Sequence, residues 1–263
     1  MATTYLDAIL AAHRARVAAD DRAIEPLIEA AQGGPRTRGF TAALTNGFSV
    51  IAEVKRRSPS KGAIAADLDP VALAAAYERG GAACVSVLTD TEHFGGSPAD
   101  LISARDAVDV PILRKDFTVS LADVCDTRIM GADAVLLIAA ALDDAELADF
   151  HALALELELD ALVEVHDEAE LARALRVGAT LVGVNQRDLV TFAVDTERAV
   201  RMAPQMPAGV VRVAESGIGG PDDVVPLAAA GYHAVLVGES LVRSADPAAA
   251  VAALRGVGRE ADQ

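Results

Sequence analysis

The chain has 263 residues, of which 52% are hydrophobic and 24% charged, and its formal net charge is −16. The apolar content is too high for a disordered chain, and the Gly and Pro residues are too scattered for a fibrous protein. The excess of acidic residues argues against nucleic acid and anionic membranes as partners, because both attract clusters of Lys and Arg. A negatively charged substrate would therefore need a local cationic pocket.

The cysteines and the first residues of the chain indicate a cytoplasmic protein. Neither Cys84 nor Cys125 has a Cys or His nearby at metal-ligand spacing, so we expect no disulfide framework. Residues 1–7 lack the charged and apolar regions of a signal peptide. No apolar run approaches the ~20 residues of a membrane-spanning helix.

The first ~45 residues predict a helical N-terminal extension. Leu6, Ile9 and Leu10 recur at helical spacing, and polar residues take the other positions. Gly33-Gly34-Pro35 then breaks the helical pattern.

From residue 49 onward, eight short β-like runs alternate with helical stretches. Most of these runs are continuously apolar, which is typical of parallel strands covered by helices. The predicted strands are 49–55, 83–88, 110–115, 134–138, 161–165, 181–185, 210–215 and 234–237. The predicted helices between them include 70–79, 121–130, 143–157, 168–177 and 221–230.

This alternation predicts a (β/α)8 TIM barrel of the α/β class. The odd-numbered strands recur about every 50 residues, and a Gly precedes each even-numbered strand, which supports a repeated architecture. A doubly wound open sheet is the alternative, although no G-x-G-x-x-G follows the first strand. We expect a single barrel domain over residues 1–263, with residues 1–45 as its helical extension.

Charged residues stand at the end of every odd-numbered predicted strand. Alternate residues of a strand share a face, so Glu53 and Lys55 should point to the same side. Barrel active sites lie at the C-terminal strand ends, which predicts that Glu53, Lys55, Lys115, Glu164 and Glu215 surround one mouth. The structural alternative is a buried ion-pair network or solvated loop charge, but Lys and Glu are seldom buried without a partner or a role.

Two glycine-bearing turns predict a phosphate site. Ser216 and Gly217 follow the seventh strand, and Gly238 and Glu239 follow the eighth, where barrels commonly bind phosphate through backbone N–H groups. The basic loop 56–62 after the first strand is either a solvated loop or a mobile flap with affinity for anions. In the second interpretation it supplies part of the cationic pocket.

Other catalytic patterns do not emerge. The five histidines are scattered, and only His166 is predicted near the mouth, where an ordinary loop histidine is the simpler interpretation. The sequence has no H-E-x-x-H, G-x-S-x-G or P-loop pattern, so metal-dependent chemistry is not expected.

The chain resembles the indole-3-glycerol phosphate synthase family over essentially its whole length. Five segments carry the resemblance: IAEVKRRSPSKG at 51–62, PILRKDF at 111–117, ALVEVH at 161–166, GVNQRDL at 183–189 and AESGI at 214–218. It implies a carboxy-lyase of tryptophan biosynthesis that uses no cofactor or metal. The implied reaction closes a ring in 1-(2-carboxyphenylamino)-1-deoxyribulose 5-phosphate, with loss of CO2 and water, to give indole-3-glycerol phosphate.

The resemblance also implies roles for individual residues. Lys115 would be the general acid that protonates the substrate carbonyl, and Lys55 would hold the substrate carboxylate. Glu164 would act in the dehydration, with Glu53 and Asn185 positioning groups and relaying protons. The expected substrate-binding residues are Ser58, Phe117, Arg187, Leu189, Glu215, Ser216, Gly217, Leu236, Gly238 and Glu239. Within this set, Ser58, Ser216, Gly217, Gly238 and Glu239 would face the phosphate, and Phe117, Leu189 and Leu236 the aromatic ring.

Two departures from the family pattern concern the substrate pocket. Residues 119–128 read VSLADVCDTR where many members carry Pro-Tyr-Gln and Glu-Ala-Arg, and Gln186 stands where many have Asn or Ala. Neither departure removes an expected catalytic group.

Two other functions remain as alternatives. A different phosphate-binding barrel enzyme, such as a sugar-phosphate isomerase, would share the turns after the last two strands but gives no reason for both Lys55 and Lys115. A silent module that only binds a phosphorylated ligand is the second, and the complete acid–base set counts against it. The expected partner is a small phosphorylated substrate. A monomer is expected, with a homodimer as the alternative.

Overall fold

The computed structural model describes residues 4–58 and 62–261, with side chains up to residue 257. The chain starts with three helices, α1 (Tyr5–Ala18), α2 (Ile24–Gln32) and α3 (Phe40–Ala43). Thr4 caps α1 and exchanges hydrogen bonds with Asp7, which satisfies two backbone N–H groups that a helix start leaves open. Helix α2 ends directly before Gly33, at the break that the sequence predicts.

Eight parallel strands close into a barrel, which confirms the predicted (β/α)8 fold. Going round the barrel, the order is β1, β10, β9, β8, β7, β6, β5 and β4, and β4 pairs again with β1. The barrel strands are β1 (Ser49–Val54), β4 (Cys84–Leu88), β5 (Ile112–Lys115), β6 (Ala134–Ile138), β7 (Asp160–Val165), β8 (Leu181–Asn185), β9 (Val211–Glu215) and β10 (Ala234–Val237). A small antiparallel pair, β2 (Arg57–Ser58) and β3 (Gly62–Ala63), follows β1.

Helices cover the outside of the barrel. They are α4 (Pro70–Arg79), α5 (Thr91–Phe94), α6 (Pro98–Ala107), α7 (Leu121–Ile129), α8 (Asp144–Glu156), α9 (Glu168–Arg176), α10 (Arg198–Met202), α11 (Pro221–Ala229), α12 (Glu239–Val242) and α13 (Pro247–Ala261). Pro opens α4, α6, α11 and α13, because a first-turn position needs no backbone N–H donor. The predicted helices and strands differ from the observed ones by at most two residues at either end.

The core lies between the strands and these helices. Nearly every strand residue is buried, as the continuous apolar runs predict. Tyr77 of α4 is fully buried, and its hydroxyl donates a hydrogen bond of 3.1 Å to the backbone oxygen of Glu53. Cys84 and Cys125 are free thiols buried in this core. No helix in the described part of the chain is long and apolar enough to span a membrane.

The N-terminal extension is fastened at the lower end of the barrel, where strands begin. Asp133, fully buried just before β6, accepts hydrogen bonds from the backbone N–H groups of Arg38 and Ile112 and from the Arg105 guanidinium, at 2.7 to 2.8 Å. Asp160, the first residue of β7, accepts from the backbone N–H and hydroxyl of Thr41. The two carboxylates thus tie the extension to two adjacent strands.

Helix α1 reaches the opposite end of the barrel, where strands finish. His13 Nε2 lies 2.8 Å from Asp90 Oδ2 just after β4, and Arg14 pairs with Glu146 at the start of α8. The extension therefore spans the barrel from the lower end to the mouth.

The Asp133 cluster yields a stability prediction. In Asp133→Asn, the side-chain amide would present N–H groups to at least one of the three donors, leaving buried groups unpaired. We expect the free energy of unfolding to fall by about 3 kcal/mol. Urea denaturation followed by circular dichroism measures it. The control Asp149→Asn changes an exposed carboxylate on α8, and an equal loss in both variants would contradict the assignment.

Candidate active site

A cavity of about 870 Å³ opens at the C-terminal ends of the barrel strands. The five expected catalytic residues and the ten expected substrate-binding residues all line it. The five expected catalytic residues come from β1, β5, β7 and β8 or follow directly after β1. Their convergence follows from the parallel strands, whose C-terminal ends all meet at one rim. The structure thus brings the whole set together, while the role of each residue stays a prediction.

Strand alternation places the two adjacent cations of β5 on opposite sides of the barrel wall. Arg114 points outward, where it donates to Asp116 Oδ2 at 3.0 Å and to the backbone oxygen of Asp123 on α7. Lys115, one residue on, points into the mouth. Only one of two adjacent cations therefore belongs to the site.

The floor of the cavity is a network of buried charges. Lys55 Nζ lies 2.5 Å from Glu53 Oε1. Lys115 Nζ lies 3.4 Å from Glu164 Oε2 and 3.6 Å from Glu215 Oε2. Asn185 donates to the other Glu164 oxygen at 3.1 Å. Each lysine is thus held by a carboxylate.

These contacts raise the pKa values of Lys115 and Glu215 and lower that of Glu164. Burial would lower the pKa of Lys115, but Glu164, Glu215 and Glu53 raise it well above its ordinary range, so Lys115 stays an ammonium. Burial and the neighbouring Glu164 raise the pKa of Glu215 to about 8. Glu164 itself keeps a lowered pKa in spite of burial, chiefly because of Lys115. Of the two carboxyl groups, Glu215 is therefore the one that burial and its neighbour drive toward the protonated form.

Two glycines make room for this network. A Cβ added at Gly183 in β8 would clash with Glu215 Oε1, and one at Gly238 would lie 2.6 Å from Glu53 Oε1 and 3.1 Å from Lys55 Nζ. Gly238 was expected near the phosphate, but Gly183 was not expected to matter. The sequence signal was Gly183 itself, because a glycine inside an apolar strand often marks a place where another group approaches the backbone closely.

The rim after β9 contains an unusual backbone. Ser216 has φ 67°, in the left-handed region that non-glycine residues seldom adopt, and Gly217 follows with φ 75°. Gln186 Nε2 donates to the Ser216 backbone oxygen at 2.8 Å, and Gln186 is buried. Gln186, at which the chain departs from the family pattern, therefore holds the turn that the sequence predicts to bind phosphate.

The apolar wall extends beyond Phe117, Leu189 and Leu236. It also contains residues that sequence reasoning missed, namely Tyr5, Leu6, Ile9, Phe94 and Phe192. Three of these belong to α1. Their helical spacing was visible in the sequence, but which surface α1 covers depends on contacts with α5 and α8 that are distant in the chain.

The arginines of the basic loop after β1 lie outside the cavity. Arg56 pairs with Asp100 and donates to the backbone oxygen of Leu68, and neither Arg56 nor Arg57 lines the cavity. These two arginines therefore do not support the interpretation of the loop as a flap that supplies part of the cationic pocket. Ser58 does line the cavity, whereas residues 59–61 of the proposed flap lie outside the described residues.

His166 lies in the bend directly after β7, as the sequence predicts. Its ring is only 11% exposed, and it lies between Glu164 and Glu170, at 3.4 and 3.0 Å. The prediction that only His166 lies near the mouth is wrong, since His13 contacts both Asp90 and the ring of Phe117, which line the cavity.

One cluster in the described part of the chain could hold a metal ion. The ligand atoms of His13, Asp90 and His93 lie within 4.8 Å of one another. The Arg16 guanidinium donates to His13 Nδ1 at 2.5 Å, so Nε2 must carry the hydrogen that it donates to Asp90. Burial would raise the pKa of Asp90, but hydrogen bonds from His13 and His93 hold it well below its ordinary value. The trio is thus satisfied as a hydrogen-bonded network that fastens α1.

The closed barrel, with paired lysines and carboxylates at its mouth, is typical of a (β/α)8 enzyme. Sequence comparison identifies the family. The family model for indole-3-glycerol phosphate synthase matches residues 6–254. The chain belongs to this family, whose activity serves tryptophan biosynthesis.

Individual relatives agree with this assignment. The chain is 58% identical to the indole-3-glycerol phosphate synthase of a Nocardioides species over 80% of this chain and 81% of that protein. It is 50% identical to that of Streptomyces griseus over 95% and 91%. A solved structure of thiamine phosphate pyrophosphorylase from Pyrococcus furiosus is similar with a TM-score of 0.62 and 16% identity, covering 83% of this chain and 98% of that one. At that identity it shows the fold alone.

The raised pKa of Glu215 predicts how stability depends on pH. Between its ordinary value of 4.5 and about 8, the unfolded chain releases a proton that the folded chain keeps. Glu215 should therefore make the free energy of unfolding fall as pH rises through this window. In Glu215→Gln we expect this contribution to vanish. Urea midpoints at pH 5 and pH 8 test it, and equal pH dependence in both proteins would contradict it.

Gly183 predicts a loss of activity without unfolding. The added methyl of Gly183→Ala would displace the Glu215 carboxylate from Lys115, and we expect kcat/KM for indole-3-glycerol phosphate synthesis to fall at least about tenfold. The matched control is Gly256→Ala, where nothing lies within 4 Å of the added Cβ. Wild-type activity in Gly183→Ala would show that the position of Glu215 is unimportant.

Proposed function

We propose that this chain is a carboxy-lyase that converts 1-(2-carboxyphenylamino)-1-deoxyribulose 5-phosphate into indole-3-glycerol phosphate, CO2 and water. The observation that carries this proposal is the position of Lys115, an ammonium between Glu164 and Glu215 on the floor of the family's barrel. Such a group can donate a proton where negative charge develops on a substrate oxygen.

The first step would form the carbon–carbon bond. Lys115 donates a proton to the substrate carbonyl oxygen while the aromatic carbon that carries the carboxylate attacks the carbonyl carbon. The carboxylate then leaves as CO2, and its bonding electrons restore the aromatic ring. Lys55 would hold the carboxylate until that point, in place of its present contact with Glu53.

The second step would remove water. The new hydroxyl group leaves with a proton, and the adjacent CH2 group gives up a proton, which creates the double bond of the indole. Glu164 serves this step because it faces Lys115 through one oxygen and is fixed by Asn185 at the other. Protonated Glu215, 3.6 Å from Lys115, can return a proton to the lysine after it has acted.

The phosphate would lie at the rim built after β9 and β10. The backbone turn at Ser216 and Gly217, which Gln186 holds, and the turn at Gly238 and Glu239 border this part of the cavity. Backbone N–H groups bind phosphate without the entropy cost of ordering long side chains. Ser58 would contribute from the segment after β1, the strand that pairs with β10.

The setting of the reaction is also part of the proposal. We place this single-domain enzyme in the cytoplasm, where buried free thiols such as Cys84 remain reduced. It would act as a monomer, with a homodimer as the alternative, on a small phosphorylated substrate. Neither nucleic acid, membrane, metal nor organic cofactor takes part.

Replacement of Lys115 tests the proposal. In Lys115→Ala we expect turnover to fall by about a thousandfold, because the carbonyl oxygen loses its proposed proton donor, while the circular dichroism spectrum stays unchanged. Indole fluorescence and released CO2 would be followed together. Arg176→Ala, which removes an exposed cation on α9, is the control.

The same assay separates the alternatives. Full turnover by Lys115→Ala would remove the lysine from its proposed role. Wild-type protein that binds the substrate without releasing CO2 would instead identify a binding module.

A further inference from the structure

His166 follows β7 and is the one histidine whose ring contacts an expected catalytic carboxylate among the described residues. Its backbone N–H and its Nδ1 both bond to Glu170 Oε2 of α9, at 2.7 and 3.0 Å. Its Nε2 lies 3.4 Å from Glu164 Oε1 and has no hydrogen-bond partner of good geometry in the described structure. Glu170 therefore fixes the ring on its Nδ1 side, and Nε2 faces Glu164.

We propose that His166 is a positioning residue that acts as an imidazolium, fixing Glu164 Oε1 so that Oε2 stays directed at Lys115. This inference rests on the proposed role of Glu164 in the dehydration. The resemblance that identified the site residues assigned no role to His166.

The hydrogen positions support a charged ring. Glu170 accepts from the backbone N–H and lies close to Nδ1, so Nδ1 must carry a hydrogen. In a neutral ring, Nε2 would then present a lone pair to the Glu164 carboxylate, and the two would repel each other. Protonation of Nε2 replaces this repulsion with an attractive charged contact.

The surrounding charges favour the same state. Glu164 of β7 and Glu170 of α9 flank the ring, and Arg198 of α10 is the opposing cation. Burial and Arg198 lower the pKa of His166, but Glu170 and Glu164 outweigh them and raise it above its ordinary value. Behind Glu164 lie Lys115 and the protonated Glu215.

The consequence is a carboxylate fixed at both oxygens. Asn185 and His166 approach Oε1, and Lys115 approaches Oε2. Without the imidazolium, Glu164 would lose one of its two cationic neighbours and gain freedom to rotate. Both changes act on catalysis rather than on substrate affinity.

The test begins with His166→Gln, which keeps polarity but cannot become charged. We expect kcat to fall about tenfold with KM changed less than about twofold, because the reacting group and not the binding site is disturbed. We also expect the acid limb of the pH–kcat profile to move up by about one pH unit, since removal of a nearby cation raises the pKa of Glu164. An unchanged profile would overturn the proposal.

Glu170→Gln and its matched control Glu168→Gln separate charge from structure. Both remove a carboxylate from the first turn of α9, but only Glu170 touches His166. In Glu170→Gln, we expect activity near the wild-type value at pH 6 and below it at pH 7, because His166 loses its proton at lower pH than in the wild-type chain. A loss that is equal at both pH values, or equal in Glu168→Gln, would overturn the proposal.

Carboxyl and imidazole titrations by nuclear magnetic resonance provide a readout independent of turnover. The Glu164 carboxyl should titrate at higher pH in His166→Gln than in the wild-type chain, and the wild-type His166 ring should titrate above pH 6.5. Failure of either shift would overturn the inference about His166. Absence of turnover in the wild-type chain would instead overturn the proposed function.

Discussion

The desolvated charge network around Lys115 is the constraint on which the site depends. An ammonium can be buried at the mouth because Glu164 and Glu215 lie within 4 Å of it, and burial together with Glu164 drives Glu215 toward its protonated form. Gly183 provides the space for Glu215, and Asn185 fixes Glu164. The barrel supplies these groups from β5, β7, β8 and β9, and the parallel order of the strands brings their ends to one rim.

The fold was largely predictable because its signals are local. Each barrel strand is a continuous apolar run, and the helix limits follow Pro, Asp and Gly, which act within one or two turns. Strand alternation predicted that Glu53 and Lys55 share a face, and the position of barrel active sites predicted that this face lines the mouth. What the sequence could not reveal depends on distant pairs. Arg56, in the loop that the sequence left as either solvated or anion-binding, pairs with Asp100, and His13 contacts Asp90 across 77 positions.

The charge of the mouth also differs from the simplest expectation. An acidic protein was expected to need a cationic pocket for an anionic ligand, yet Lys55 and Lys115 in the cavity each already have a carboxylate partner. Affinity would then come from exchange, in which a ligand carboxylate takes the place of Glu53 beside Lys55, and from backbone N–H groups at the rim. An exchange of this kind discriminates by geometry, because the incoming group must reproduce the contact that it displaces.

The attachment of the N-terminal extension has a consequence for the order in which the chain can assemble. Arg38 and Thr41 leave the ribosome long before their partners Asp133 and Asp160, which lie 95 and 119 positions later. The N-terminal segment therefore cannot make these contacts until more than half of the chain has been synthesised. Until then its apolar face has no barrel to cover, so synthesis of this protein includes an interval in which that face is exposed.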